Sequence, residues 1–309
     1  MTHPAHSAAL AVRPGSWAAW RVALRPKTLW IATIPVLVAT CLAWAVAGAF
    51  DAGIAAIALL AAVMMQVVTN LQNDVGYTDR GAERGDRVGL PRATAKGWLA
   101  PAAVRRAIVA AIAVAWLTAL PLMLRGGWPI VLTSTCSTLA AYAYMGGPRP
   151  IAYTPYGELT VFVFFGLVAV GGTFYVLTGQ LGAAPWLAGS AIGLLAAAVL
   201  LVNNYRDRAH DAGAGRRTLA IVLGARGAPQ LYTFLLATPF LLAVLLAWLY
   251  RSPWFALPLL AAPRAVRLAR DLPRAAEGTA LIGILFRTVM LEVLFGGLLA
   301  VGALVHGWR

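Results

Sequence analysis

The chain has 309 residues, 61% of them hydrophobic and 12% charged, with a mean hydropathy of +0.76. A soluble domain carries about 25% charged residues, so the composition excludes a soluble enzyme. It indicates an all-α polytopic membrane protein, whose spans of about 20 residues use up the length in one bundle. The net charge of +14 has no basic soluble domain to carry it, which argues against nucleic acid and leaves topology and anionic lipid headgroups.

Residues 1–27 read as a cytoplasmic N-terminal segment. They hold prolines and histidines and no compact apolar core before a small-residue cleavage site, so no cleavable signal is expected. Residues 16–27 read as an amphipathic lead-in lying on the membrane surface. From 28 to 309 a single transmembrane domain is expected, with about nine spans at 29–50, 52–73, 100–122, 129–146, 158–178, 184–205, 229–250, 252–270 and 280–305. The eighth contains Pro253, Pro258 and Pro263 and is expected to be kinked or short. Cys41 and Cys136 lie far apart in apolar stretches and read as core fillers. None of the four histidines shows metal-ligand spacing, and His210, inside a charged cluster, reads as a bystander.

With the N-terminus in the cytoplasm, one side of the membrane collects Arg13, Arg21, Arg25, Lys27, the 74–99 loop, Arg149, the 206–228 loop, Arg264, Arg267, Arg270 and Arg274. The other side receives Arg125, Arg251 and Arg309. The positive-inside rule therefore places the N-terminus in the cytoplasm and the C-terminus outside.

Of eleven Asp and Glu residues, six sit in two cytoplasmic clusters. The first, "NLQNDVGYTDRGAERGD" at 70–86, follows the second span and holds Asp74, Asp79, Glu83 and Asp86. The second, "VNNYRDRAHD" at 202–211, follows the sixth span and holds Asp207 and Asp211. Asn203, Asp207 and Asp211 share one helical face, and Gln66, Asn70 and Asp74 make a similar stripe. Like charges one turn apart repel, and a charge at the bilayer centre costs about 2.5–3.5 kcal/mol. Mg2+ relieves both, because it takes oxygen ligands and commonly joins one or two carboxylates to substrate phosphates. Arg80, Arg84, Arg87, Arg92, Lys96, Arg206, Arg208, Arg216 and Arg217 stand ready for the remaining anionic oxygens. The ligand this implies is a diphosphate against both clusters in a central cavity open to the cytoplasmic side, its tail entering from the membrane. A solvated charged loop would account for one such cluster; two, four spans apart and each preceded by asparagines, favour the site.

Four stretches then carry a likeness to a known family. They are "RPKTLWIATIPVLVAT" (25–40), "TNLQNDVGYTDRG" with "RVGLPRATAKGWL" (69–81 and 87–99), "GGPRPIAYTPYGELTVFVFFGLVAVGGTFYV" (146–176) and "VNNYRDRAHDAGAGRRTLAIVLG" (202–224). In matching order they resemble the intramembrane aromatic prenyltransferases of the UbiA superfamily, and within it the branch acting on 1,4-dihydroxy-2-naphthoate in menaquinone synthesis (the MenA branch). The second motif fits without adjustment. In the first, Asn70 and Asp74 fit, but the next expected acidic positions hold Tyr77 and Thr78 and the acid falls at Asp79. Asp79 or Asp86, held by a loop, is the expected replacement ligand.

The resemblance implies that Mg2+ at Asp74, Asp79, Asp86, Asp207 and Asp211 stabilises the diphosphate leaving a polyprenyl chain. An electron-rich ring then attacks the allylic cation, and the attacking carbon loses its carboxylate as CO2. Asn73 and Asn204 are candidates to orient the carboxylates or a metal-bound water, with Asn70 and Asn203 beside them. Arg25 and Lys27 either meet the diphosphate or anchor the first helix. Glu158 either faces the aromatic acceptor or is an N-terminal helix charge. Tyr142, Tyr144, Phe162, Phe164, Phe165 and Tyr175 are candidates for the wall around the cation, though aromatics in spans are commonly packing. The alternatives are transfer to another acceptor such as 4-hydroxybenzoate, a secondary transporter, whose charged site belongs nearer the midplane, and a lipid-binding scaffold, which needs no metal-type clusters.

Overall fold

The computed structural model describes residues 12–82, 89–275 and 278–308, and every regular element among them is a helix. In chain order these are α1 (Trp17–Leu24), α2 (Trp30–Ala47), α3 (Ala52–Asp79), α4 (Pro101–Gly126), α5 (Trp128–Met145) and α6 (Gly157–Val161). A π-helical segment (Phe162–Val168) leads into α7 (Ala169–Thr178). Then come α8 (Ala183–Arg206), α9 (Arg208–Gly213), α10 (Leu219–Leu249), α11 (Ala262–Asp271) and α12 (Thr279–Gly307).

Seven of the helical stretches are long and apolar enough to cross a membrane, with the run from Gly157 to Thr178 counted as one. They match the first, second, third, fifth, sixth, seventh and ninth expected spans. α5 and the stretch from Pro253 to Asp271, at the fourth and eighth, fall outside that set. The reason for the latter lies in its prolines: Pro253–Ala261 is a 3-10 helix, and α11 starts only at Ala262. The seventh span begins earlier than expected, at Leu219, and bends at Gly224, where the backbone turns to φ 67°.

The core is apolar, and so, unlike that of a water-soluble bundle, is much of the outer surface. Leu117 and Leu124 on α4 and Leu241 and Trp248 on α10 face outward, as lipid contact allows. With no water in the hydrocarbon, helices are the way to satisfy the backbone here. Cys41 fills the core as expected, whereas Cys136 lies on the exposed face of α5.

α8 is the axis of the bundle, packed against α10, α12, α2 and the π segment. Its alanine- and glycine-rich sequence makes this possible, since small residues let helix backbones approach closely. The tightest approach pairs Gly166 of the π segment with Gly189 and Gly193. A Cβ on Gly166 would stand 2.4 Å from the Gly189 carbonyl oxygen and 2.7 Å from Gly193 Cα, both unyielding backbone. Gly166→Ala is therefore expected to cost about 1–3 kcal/mol, read as a lowered unfolding temperature in detergent. An unchanged temperature would contradict this packing.

α1 occupies the stretch expected as a surface lead-in. It is capped by the Ser16 hydroxyl and buries Ala19 and Ala23 in a cluster with Val68, Leu71 and Val75 of α3. The N-terminal helix is thus packed onto the end of α3 that bears the first acidic motif.

Candidate active site

A cavity of about 320 Å³ runs between α2, α3, α4, α5, the π segment with α7, α8 and α12. Its walls change character along its length. Arg25, Thr28, Gln66, Asn70, Asn73, Tyr144 and Asn203 make a polar end, while Val36, Ala58, Leu122, Met123, Ile130 and Val176 close an apolar one. Fifteen residues of α3 separate Ala58 from Asn73, about 22 Å at 1.5 Å per residue. The shape suits a molecule with a polar head and a long apolar tail.

Asn73, from the first motif, and Asn203, from the second, both line this cavity. Behind them the two motifs meet at Tyr77. The Arg216 guanidinium bonds the Tyr77 hydroxyl, pairs with Asp211 at 2.8 Å and donates to the Ala152 carbonyl at 2.8 and 2.9 Å. Arg92 stacks on the same ring, 4.2 Å from its centre, and Arg216 lies 5.3 Å from it. Tyr77 is 2% exposed and Arg92 1%, so two cations share a buried ring. Cation–π attraction of this kind is strongest when desolvated.

Close helix approach makes the junction possible. A Cβ on Gly76 would stand 2.7 Å from Met145 Cβ, so this glycine lets the ends of α3 and α5 touch. Arg80 then donates to the Met145 and Gly147 carbonyls, tying the 146–150 loop to α3.

The carboxylates behave individually. Asp74 is fully buried and accepts from the backbone N–H groups of Ala93 and Thr94 and from the Thr94 hydroxyl, at 2.7–2.9 Å. It holds the loop carrying Arg92, and three of its roughly four lone-pair positions are taken. Asp207 sits at the junction of α8 and α9, gripped bidentately by Arg206 at 2.8 Å on both oxygens. Arg206 also donates to Asn203, so Asn203 and Asp207 share one guanidinium. Burial pushes the Asp211 carboxyl up from its ordinary range, and Arg216 opposes that shift. The helix breaks between Arg206 and Arg208, so Asp207 is a cap residue rather than part of one continuous face.

Asp79 corrects an expectation. It is the last residue of α3, not a loop residue, and its half-exposed carboxylate pairs with Arg105 at 2.8 Å. It does not line the cavity. Exposed ion pairs are worth about 0.2–1 kcal/mol, so Asp79→Ala is expected to leave stability within about 1 kcal/mol and turnover within about twofold, by thermal unfolding and an activity assay. A large loss of turnover would return Asp79 to the metal site. Asp86 and Arg87 lie outside the described residues.

Other expected residues divide. Asn70 lines the cavity and donates to the Leu24 carbonyl and the Thr28 hydroxyl. Asn204 donates to Glu158 at 2.9 Å, joining α8 to α6. Tyr144, Phe164 and Phe165 line the cavity, while Tyr142 is exposed, and Tyr175 and Phe162 pack elsewhere. Lys27 lies 4.6 Å over the Phe286 ring at the cavity's edge. Lys96 and Arg217 are exposed. His210 stands 3.7 Å from Asp211. Sequence reasoning missed Tyr77 as the meeting point, and the arginines flanking each motif were the available signal.

The donor set suits a hard divalent cation. Asn73 Oδ1 and Asp211 Oδ2 are buried oxygens without a hydrogen-bond partner among the described residues, and oxygen is what Mg2+ selects. No group of three acidic, histidine or cysteine side chains forms a complete protein cage among those residues. Diphosphate oxygens and water would have to complete the coordination, as is usual for Mg2+.

The chain is similar to known proteins in sequence and in fold. The sequence profile described as the UbiA prenyltransferase family matches residues 32–282. The 1,4-dihydroxy-2-naphthoate octaprenyltransferase of Escherichia coli is 35% identical over 94% of this chain and 96% of its own. That of Mycobacterium tuberculosis is 36% identical over 94% and 98%. Among solved structures, a UbiA homolog from Aeropyrum pernix K1 superposes with a TM-score of 0.70 at 17% identity, covering 87% of this chain and 96% of that one. A UbiA homolog from Archaeoglobus fulgidus bound to DMAPP and Mg2+ gives 0.62 at 15% identity, covering 92% and 99%.

Proposed function

Since the chain belongs to the UbiA prenyltransferase family, we propose that it transfers a polyprenyl chain from an allylic diphosphate to 1,4-dihydroxy-2-naphthoate, releasing diphosphate and CO2 in menaquinone biosynthesis. The observation that carries the reading is the cavity faced by both Asn73 and Asn203, polar at one end, apolar at the other, and about 22 Å long from Ala58 to Asn73 along α3. The acceptor follows from the naphthoate octaprenyltransferases that resemble this chain along nearly its whole length.

The protein is integral to the membrane. With α5 and the Pro253–Asp271 stretch as further crossings, it spans nine times as one domain, with the N-terminus in the cytoplasm and the C-terminus outside a bacterial inner membrane. The polar end of the cavity then opens to the cytoplasm, where diphosphates are soluble, and the apolar end lies in the bilayer.

A divalent ion such as the Mg2+ of the Archaeoglobus homolog would be held by Asn73, Asp207 and Asp211, where it would supply positive charge against the leaving diphosphate. The chain's own residues do the rest. Arg92 and Arg216, fixed on Tyr77, present guanidinium groups to the same anion, a preorganised arrangement that needs no rearrangement as charge develops. Asp74 fixes the loop that places Arg92. Phe164, Phe165 and Tyr144 line a dry wall whose faces attract the allylic cation. The ring carbon attacks, the bond to diphosphate oxygen breaks, and the carboxylate leaves as CO2, its electron pair returning to the ring.

Isolated membranes supplied with an allylic diphosphate and either 1,4-dihydroxy-2-naphthoate or 4-hydroxybenzoate test the acceptor. CO2 release with the naphthoate supports it; prenylation of 4-hydroxybenzoate alone would replace it.

A further inference from the structure

Gln66 of α3 lines the cavity and is 6% exposed. Its Nε2 donates to Asn70 Oδ1 at 3.2 Å. Asn70 Nδ2 in turn donates to the Leu24 carbonyl at 2.8 Å, one of the last carbonyls of α1, which a helix end leaves without an intrahelical partner. A carbonyl only accepts, so Leu24 fixes which end of the Asn70 amide faces α1, and Asn70 fixes which end of the Gln66 amide faces it. Gln66 Oε1 is left over. It is buried, with no hydrogen-bond partner among the described residues, a condition that costs free energy until a donor answers it.

The place of this oxygen along the cavity narrows what the donor can be. Asn73, at the diphosphate end, stands seven residues further along α3, two turns and about 10 Å away on the same face. Across the cavity on α5, the Thr138 hydroxyl lies 4.0 Å from Met65 Sδ and accepts from Trp116 Nε1 at 3.1 Å, and Ser137 lines the wall beside it. Gln66, Ser137 and Thr138 thus make a neutral polar belt between the two ends. On the functional reading above, on which this inference rests, a metal-bound diphosphate offers only accepting oxygens and a polyprenyl tail offers no polar group. The aromatic acceptor brings hydroxyls, which are the donors an amide oxygen takes. The hydroxyl beside the carboxylate is held by it in an internal hydrogen bond, which leaves the 4-hydroxyl as the free donor.

We propose that Gln66 Oε1 accepts a hydrogen bond from the 4-hydroxyl of the aromatic acceptor, and that Asn70 is the positioning residue that turns the amide to receive it. With that hydroxyl at the belt, the far edge of the ring, which bears the carboxylate, faces the diphosphate end where the allylic carbon is released. The bond also selects. An acceptor without the 4-hydroxyl leaves Oε1 unanswered, and a site built to hydrogen-bond a substrate hydroxyl rejects the analogue lacking it.

Purified protein in lipid nanodiscs tests the assignment, with 1,4-dihydroxy-2-naphthoate as substrate and 1-hydroxy-2-naphthoate, which lacks only the 4-hydroxyl, as competitor. For wild type, the inhibition constant of the competitor is expected to exceed the KM of the naphthoate at least tenfold; tenfold corresponds to about 1.4 kcal/mol, inside the range for a buried acceptor left unpaired. Gln66→Leu, and Gln66→Met with its closer length, should bring the two constants within about threefold, chiefly by raising the KM, and leave the KM for the allylic diphosphate within about twofold. A smaller wild-type ratio would overturn the assignment whatever the variants do. Variants that weaken both compounds equally and keep the discrimination would overturn it too, since a merely structural role moves both. Wild-type protein that does not prenylate the naphthoate at all would overturn the functional reading and this inference with it.

Discussion

Asp211→Asn is expected to lower kcat/KM about a thousandfold while keeping the side chain's size. The carboxylate is fully buried, pairs with Arg216 at 2.8 Å, and leaves Oδ2 without a hydrogen-bond partner among the described residues. Removing one preorganised electrostatic group from a water-excluded site typically costs 10²–10³ in rate; here the substitution weakens cation binding and Arg216 placement together. Arg216 keeps its bonds to Tyr77 and Ala152, so the fold should tolerate the change better than the chemistry does. Turnover against Mg2+ concentration checks this. The variant should need far more Mg2+ and not regain wild-type kcat. A loss below tenfold would remove Asp211 from the site.

Asp74→Ala is expected to act through structure instead. The carboxylate satisfies two backbone N–H groups and one hydroxyl, and each buried donor left unpaired costs about 1–3 kcal/mol. A destabilisation of about 3 kcal/mol or more should follow, with the 89–99 loop released first and Arg92 displaced from Tyr77. Thermal unfolding and limited proteolysis read the two effects. A wild-type melting temperature with lost turnover would make Asp74 a direct ligand whose loop bonds are incidental.

The first motif shows why part of the site was legible in sequence and part was not. Density of charge after long apolar runs located the cavity's polar end, because ionised groups beside hydrocarbon need a reason to be there. Asn73 and Asn203 do line one cavity. Their neighbours, however, were assigned by residue type, and type does not reveal who answers a carboxylate. Asp74 is met by amides twenty residues on, Asp79 by Arg105 and Asp207 by its own neighbour Arg206; each pairing depends on how loops fold back. Asn70 illustrates the same limit, since its partners on α1 and at Thr28 are more than forty positions away.

The spans were readable from hydropathy where apolar runs are unbroken and blurred where proline intervenes, as at Pro253 and Pro258. The π segment gave no periodic signal at all. Its extra residue per turn brings Phe164, Phe165 and Val168 to the cavity, and π-bulges often mark functional positions. Gly166 was its trace in sequence, a residue whose need for backbone contact is visible only once α8 is beside it.

The central claim is that the ends of α3 and α8 hold one diphosphate through a divalent cation. Mn2+ in place of Mg2+ allows its direct measurement, by electron paramagnetic resonance of ion bound with an unreactive allylic thiodiphosphate. Wild-type protein should bind Mn2+ tightly only when the analogue is present, and Asn73→Ala on one helix and Asp211→Asn beyond the other should each abolish that binding. Retention of Mn2+ and analogue by both variants, or dependence on one helix alone, would contradict the shared site.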